Sequence, residues 1–199
     1  VSTGKEEILI HGEDHLIEKL GDYQFKISAN SFFQTNTRAC EKLYGKVSDY
    51  ADLDGSQTVL DLYSGTGTIP IWLAGQAKKI YGIEIVHSAV VDARENVSLN
   101  GIDNCTFLEG DIKDVFRQVP EKPDVIIIDP PRVGMHKDVV GHVLAHSPDK
   151  IVYVSCNPAT LARDLEMLAS RYAVLEVTPV DMFPHTYHIE SVALLTKKN

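Results

Sequence analysis

The stretch Thr58-Val59-Leu60-Asp61-Leu62-Tyr63-Ser64-Gly65-Thr66-Gly67-Thr68 limits most tightly what this chain can fold into. Val59, Leu60 and Leu62 make an apolar run of strand length, suited to burial in a parallel sheet. Ser64-Gly65-Thr66-Gly67 demands a sharp turn, and Ile69 to Ala74 reads as the start of a helix. Strand, glycine turn and helix in that order make a seat for a nucleotide-like ligand. The glycines let backbone approach the ligand, and the helix start offers free N–H groups. Taken alone, the pattern is also that of a plain tight turn.

The flanking chain repeats the alternation. Residues 35–52 read as a helix with Ala39, Leu43, Val47 and Tyr50 on one face. After the glycine turn come a strand at Lys79–Ile83, a helix lined by Val86, Val90, Ala93 and Val97, and a strand at Cys105–Leu108. Asp124–Asp129 is a strand, 137–146 a helix, Ile151–Val154 a strand and 158–169 a helix. Two closing strands follow at Val174–Val180 and Ile189–Thr196. This order predicts an α/β fold: a doubly wound, mostly parallel seven-stranded sheet with helices on both faces. Residues 7–28 alternate between apolar residues and turn signals, which predicts a small β-meander. The domain reading is 1–30 as the tail of a preceding domain and 31–199 as the main domain. The chain begins at Val1 in mid-pattern, so a fragment is expected.

Ligands of such sheets bind at the carboxyl ends of the strands, and the chemistry-bearing residues fall there. Glu84 ends a strand 19 residues after Gly65, where an acid can grip the two ribose hydroxyls of an adenosine ligand. A dinucleotide fingerprint needs a third glycine at position 70, which is Pro70. Asp61 ahead of the glycine turn fits S-adenosyl-L-methionine better. Asp111, after Gly110, can accept from an adenine amino group, or can simply be a turn residue. Asp129-Pro130-Pro131-Arg132 makes a rigid edge beside the crevice. Amine methylases place an aromatic residue where Arg132 stands, which disfavours their chemistry.

Ser155-Cys156-Asn157-Pro158 ends a strand and opens a helix, with Asn157 as its cap. Cys156 just before that helix start is expected to be biased toward thiolate and is a candidate nucleophile; a small buried residue is the plainer reading. Glu190 stands in an otherwise apolar strand, where a carboxylate is costly unless paired or used, and a raised pKa would suit a general base. Phe32-Phe33-Gln34 ahead of the first helix can hold a planar base or pack into the core.

Charge and cysteine content set limits. A net charge of −9 argues against a free-standing nucleic-acid binder. Three widely spaced cysteines, with no Cys-x-x-Cys pair, predict a reducing compartment, no disulfide framework and no metal site. No run approaches membrane-spanning length.

Five motifs together resemble the S-adenosylmethionine-dependent RNA uracil-5-methyltransferase family over about residues 23–197. They are Ser31–Asn36, Asp61–Gly67, Asp129–Arg132, Ser155–Pro158 and His188-Ile189-Glu190-Ser191. The resemblance implies that Cys156 is the nucleophile and Glu190 the base. It further implies that Gln34, Tyr63, Gly65, Thr68, Glu84, Asp111 and Asp129 line the cofactor and uracil pockets. Relatives often have asparagine at the place of Thr68. They often carry an N-terminal RNA-binding β-barrel, and some a cysteine-bound iron–sulfur cluster, neither of which is expected in this stretch. The expected substrate is ribosomal RNA, with transfer RNA or another nucleobase as alternatives and a catalytically silent binding module as the opposed class. A cytoplasmic monomer is expected, with Lys78, Lys79, Arg132 and Arg163 as candidate phosphate contacts.

Overall fold

The structure, a computed structural model, describes residues 8–198. Two strands, β1 (His15–Leu20) and β2 (Tyr23–Ser28), form an antiparallel hairpin. The expected meander is therefore one strand shorter. Ile8 and Ile10 are exposed and pair with nothing in either sheet, and residue 7 lies outside the described range.

The main sheet contains β3 (Thr58–Leu62), β4 (Lys79–Glu84), β5 (Cys105–Glu109), β6 (Val125–Ile128), β7 (Lys150–Ser155), β8 (Tyr172–Val180) and β9 (Glu190–Lys197). Its order is β5-β4-β3-β6-β7-β9-β8, parallel from β5 to β7, with β9 antiparallel to both β7 and β8. β3 is buried at every position, as both faces of a parallel strand should be when helices cover them. The chain leaves β3 toward β4 and β5, then returns to the other side through β6 and β7. The switch point, where ligands bind in such sheets, lies between β3 and β6.

The helices are α1 (Thr37–Ala51), α2 (Thr68–Leu73), α3 (His87–Leu99), α4 (Ile112–Val115), α5 (Lys137–His146) and α6 (Pro158–Leu168). The short α4 was not anticipated; Asp111 caps it by accepting from the Lys113 N–H. Two cores result, one on each face of the sheet. The first contains Leu43 and Val47 of α1 with Val59, Ile127 and Val152, and it includes Leu20 and Phe25 of the hairpin, both fully buried.

The hairpin is fixed by polar matching as well. Asp92, Asn96 and Asn100 recur every four residues on α3 and so share one stripe. Asn100 and Asn96 each exchange donor and acceptor bonds with the backbone of Gln24 and Lys26. Asp92 accepts from the Ser28 N–H and from the Ser28 and Ser31 hydroxyls. The outer edge of β2 is thus satisfied by a helix, which removes an exposed edge. No helix among the described residues is long and apolar enough to cross a membrane.

Candidate active site

The glycine turn needs its glycines. Gly65 and Gly67 have φ of +52° and +79°, and a Cβ on Gly67 would come within 2.8 Å of the Phe107 ring. Tyr63, a non-glycine residue, also sits at φ +66°, so the chain holds strain here of the kind found at ligand sites. Asn96 donates to the Thr66 carbonyl at 3.1 Å and ties this turn to the hairpin stripe.

The predicted residues fall into two adjoining spaces. Tyr63, Glu84 and Asp111 line a crevice of about 500 Å³, closed on its far side by Pro131, Met135 and His136. Gln34, Tyr63, Gly65, Thr68 and Asp129 line a smaller cavity of about 40 Å³ together with Asp61. Tyr63 forms the wall between them.

Glu84 is organised by backbone. Its carboxylate accepts from the Gly65 N–H at 3.0 Å and from the Ile85 and Val86 N–H groups at 2.8 Å. Asp111 is held below the usual carboxylate range, first by the Lys113 N–H and then by the Lys113 ammonium. Thr68 is not free: its hydroxyl pairs with the Tyr44 hydroxyl at 2.8 Å. Gln34 is buried, Phe33 packs on Phe25, and Phe32 points outward, 70% exposed.

Cys156 and Glu190 line neither space. β7 pairs with β9 so that Ser155 faces Ser191. Cys156 follows that pair and Glu190 precedes it, so the two stand at one end of neighbouring strands. β6 flanks β7 on its other side, and its last residue is followed by Asp129. Burial pushes the Glu190 carboxyl up to about 7. Burial and then the Glu190 charge push Asp129 up to about 7. The Cys156 thiol is raised by burial, Glu190 and Asp129, with Arg132 opposing them more weakly. This corrects the expected thiolate bias: two carboxylates and partial burial outweigh the helix start.

Four buried side-chain atoms around the glycine turn have no partner among the described residues: both Asp61 carboxylate oxygens, Ser64 Oγ and Thr66 Oγ1. Burial raises Asp61 well above its usual range, with Asp129 and Glu84 adding repulsion. An unpaired buried carboxylate asks for a cation or donor. S-adenosylmethionine, with an ammonium and a sulfonium, fits that demand, and Glu84 and Asp111 offer acceptors for its adenosine.

Of the expected RNA-contact residues, Arg163 is otherwise engaged. Its Nε and Nη2 bond Asp164 at 2.9 and 2.6 Å, and Nη2 also bonds the Val133 carbonyl at 2.9 Å. Lys78 pairs loosely with Glu121 at 3.5 Å. Arg132 is exposed.

The sheet order and the crevice at its switch point define the Rossmann-like α/β fold of the methyltransferase class. The precorrin-6y C5,15-methyltransferase of Geobacter metallireducens shows the same fold, with a TM-score of 0.67 at 16% identity over 88% of this chain and 94% of that one. Sequence narrows the class: the tRNA (uracil-5-)-methyltransferase model matches residues 4–115 and 121–198, and the chain belongs to that family. RNA methyltransferases of Porphyromonas gingivalis and Caldanaerobacter subterraneus are 49% and 47% identical over 98% and 95% of this chain. Those alignments cover 44% and 42% of the relatives, so the chain spans less than half their length. The Pyrococcus abyssi tRNA (uracil-54, C5)-methyltransferase, in complex with S-adenosyl-L-homocysteine, has a TM-score of 0.83 and 38% identity, covering 98% of this chain and 49% of that one.

Proposed function

We propose that this chain is the catalytic part of an RNA methyltransferase that moves a methyl group from S-adenosylmethionine to carbon 5 of a uridine through a covalent cysteine adduct. The observation that carries the reading is the alignment of Asp129, Cys156 and Glu190 at the ends of three adjacent strands, with Asp129 also lining the small cavity. The family match and the likeness to the P. abyssi enzyme support it.

S-adenosylmethionine, when bound, supplies an electrophilic methyl group. Glu84 and Asp111 would hold the adenosine end, and Asp61, Gln34 and Asp129 would line the place of the charged end. A cation beside Asp129 would offset part of the repulsion that, after burial, raises the Cys156 thiol, and the released proton would pass to solvent. The Cys156 thiolate then adds to carbon 6 of uracil, and the electron pair moves onto carbon 5, which is otherwise too poor a nucleophile. Once carbon 5 carries the methyl group, Glu190 removes its proton. The pair returns to the ring, the carbon 6–sulfur bond breaks and the thiolate leaves. A carboxyl with a pKa of about 7 is well matched to that step at neutral pH. The target base leaves its stack to reach this edge, at a cost of a few kcal/mol.

Ribosomal RNA is the proposed substrate on the family resemblance. The 38% identity to a tRNA enzyme favours transfer RNA as the second reading. In the longer protein, residues 1–30 would join the catalytic unit to a preceding domain, and the protein would act as a cytoplasmic monomer. The test is mass mapping of RNA of both kinds after incubation with the protein and S-adenosylmethionine. 5-Methyluridine is expected from the wild type, with neither product nor denaturant-resistant adduct from Cys156→Ala. Methylation of another atom, or adduct formation by Cys156→Ala, overturns the reading.

A further inference from the structure

The loop after β6 is held by the side chains of one helix and its cap. The Arg132 carbonyl accepts from Asn157 Nδ2 and Thr160 Oγ1, each at 3.2 Å. The Val133 and Met135 carbonyls accept from Arg163 Nη2 at 2.9 and 3.4 Å. The Met135 N–H donates to Asp164 Oδ2 at 2.8 Å. Asp164 is fully buried. Its Oδ2 also accepts from the Tyr153 hydroxyl at 2.5 Å, and its Oδ1 accepts from Arg163 Nε and Nη2. Gly134 lies at φ +78°, and a Cβ there would sit 2.6 Å from Asp164 Oδ2 and collide with the Arg163 guanidinium. The loop and this side-chain group are thus fitted to each other at contact distance.

An ion pair with one partner fully buried and the other about half exposed is a poor way to gain stability, because solvent weakens the attraction while the buried charge still costs desolvation. What it gives in place of net stability is direction. The bonds that leave Asn157, Thr160, Arg163 and Asp164 toward the loop end on backbone groups of residues 132, 133 and 135, and that backbone is a wall of the large crevice: Val133, Gly134 and Met135 all line it. At the other end, the Arg132 carbonyl rests on Asn157, the residue after Cys156.

We propose that Tyr153, Asp164 and Arg163 form a positioning unit that preforms the 132–135 wall of the cofactor crevice and couples it to the turn carrying Cys156. The name of the cofactor rests on the function proposed above; the coupling of the wall to α6 does not. Asp164 and Tyr153 are sealed from the crevice and touch no reacting atom, so they act through the loop. Arg163 is the accessible handle: its side chain is about half exposed and itself lines the crevice, so loop exchange, not affinity alone, decides the positioning role.

The test uses Arg163→Met, which keeps the apolar stem and deletes the donors, with Arg163→Lys as rescue and Asp164→Asn as the severe variant. Amide hydrogen exchange of residues 133–136 should rise about tenfold or more in Arg163→Met, while the amides of β3, β6 and β7 keep their protection. Calorimetry should show S-adenosylmethionine binding weakened about tenfold, the scale of a lost charge-assisted hydrogen bond. The KM for the cofactor should rise more than kcat falls, and Arg163→Lys should recover part of both losses. Unchanged loop exchange, or loop exchange that rises only with exchange throughout the sheet, overturns the positioning role. Increased loop exchange with unchanged cofactor affinity overturns it too. If the wild type binds no S-adenosylmethionine, the cofactor reading fails, and the loop exchange still decides the coupling.

Discussion

The two wings of the carboxyl edge use the same residue type in opposite ways. On the β3-β4-β5 wing, Glu84 accepts three backbone N–H bonds and Asp111 is held below the usual range by Lys113. On the β6-β7-β9 wing, Asp129 and Glu190 draw no hydrogen bond from the chain among the described residues, and both rise to about 7. Hydrogen bonds to a carboxylate favour the charged form, and burial beside a like charge disfavours it. One wing is therefore a surface whose acceptors are held in place by backbone N–H groups and by Lys113. The other changes charge near neutrality, as proton transfer requires. Asp129 belongs to both, since it also lines the small cavity with Gly65 and Thr68, so the two surfaces meet at the switch point between β3 and β6.

Glu190→Gln is the hardest blow to the proton-transfer wing. It should still form the adduct and accept the methyl group, then stall as a methylated protein–RNA species visible as a denaturant-resistant band. Release should slow by about 10²–10⁴-fold, the usual contribution of a general base. Wild-type turnover in this variant would remove Glu190 from the role.

Glu84→Ala attacks the binding wing. Calorimetry should show S-adenosylmethionine affinity weakened by about 1–3 kcal/mol, the scale of losing charged hydrogen bonds. The melting temperature of the free protein should be recorded alongside, because Glu84 also supports the Gly65 turn. Tight binding of a nicotinamide dinucleotide in place of S-adenosylmethionine would break the assignment of the whole wing.

The wings should also part in their effect on stability with pH. Asp129 and Glu190 have folded pKa values of about 7, above the unfolded carboxylate range, so the folded state holds more protons between about 4.5 and 7. Their contribution is full below about 4.5 and is lost as pH rises to 7. Denaturant titrations of the free protein should show it, and Glu190→Gln should flatten the loss by up to about 3 kcal/mol, at ~1.4 kcal/mol per pKa unit. Asp111 has the opposite sign, stabilising above its unfolded pKa, and being exposed it should contribute little. A stability curve indifferent to Glu190→Gln would dissolve the contrast.

The smallest expected effect concerns RNA. With a net charge of −9 and Arg163 engaged internally, the chain should bind RNA with a shallow salt dependence, since few phosphates are neutralised. Filter binding across a salt series measures the slope. Nanomolar affinity at physiological salt would show that a cationic surface had been overlooked.

The sequence by itself determined the alternation of strands and helices, the glycine turn and the identity of the acids at strand ends. Those follow from local rules: burial periodicity, the φ that only glycine takes easily, and caps such as Asn157. Only the tertiary structure decided how those acids behave. Glu84 and Glu190 are each a glutamate at one end of an apolar strand. What separates them is the fold: Gly65 brings its N–H to one, beside those of Ile85 and Val86, while burial surrounds the other. The same holds for Cys156, whose place before a helix pointed toward thiolate until the fold buried it and brought Glu190 and Asp129 alongside. It holds for Arg163, which looked like a surface cation and is committed to a loop some 30 residues earlier in the chain. Charge state is set by distance and solvent, and neither exists until the chain has closed on itself.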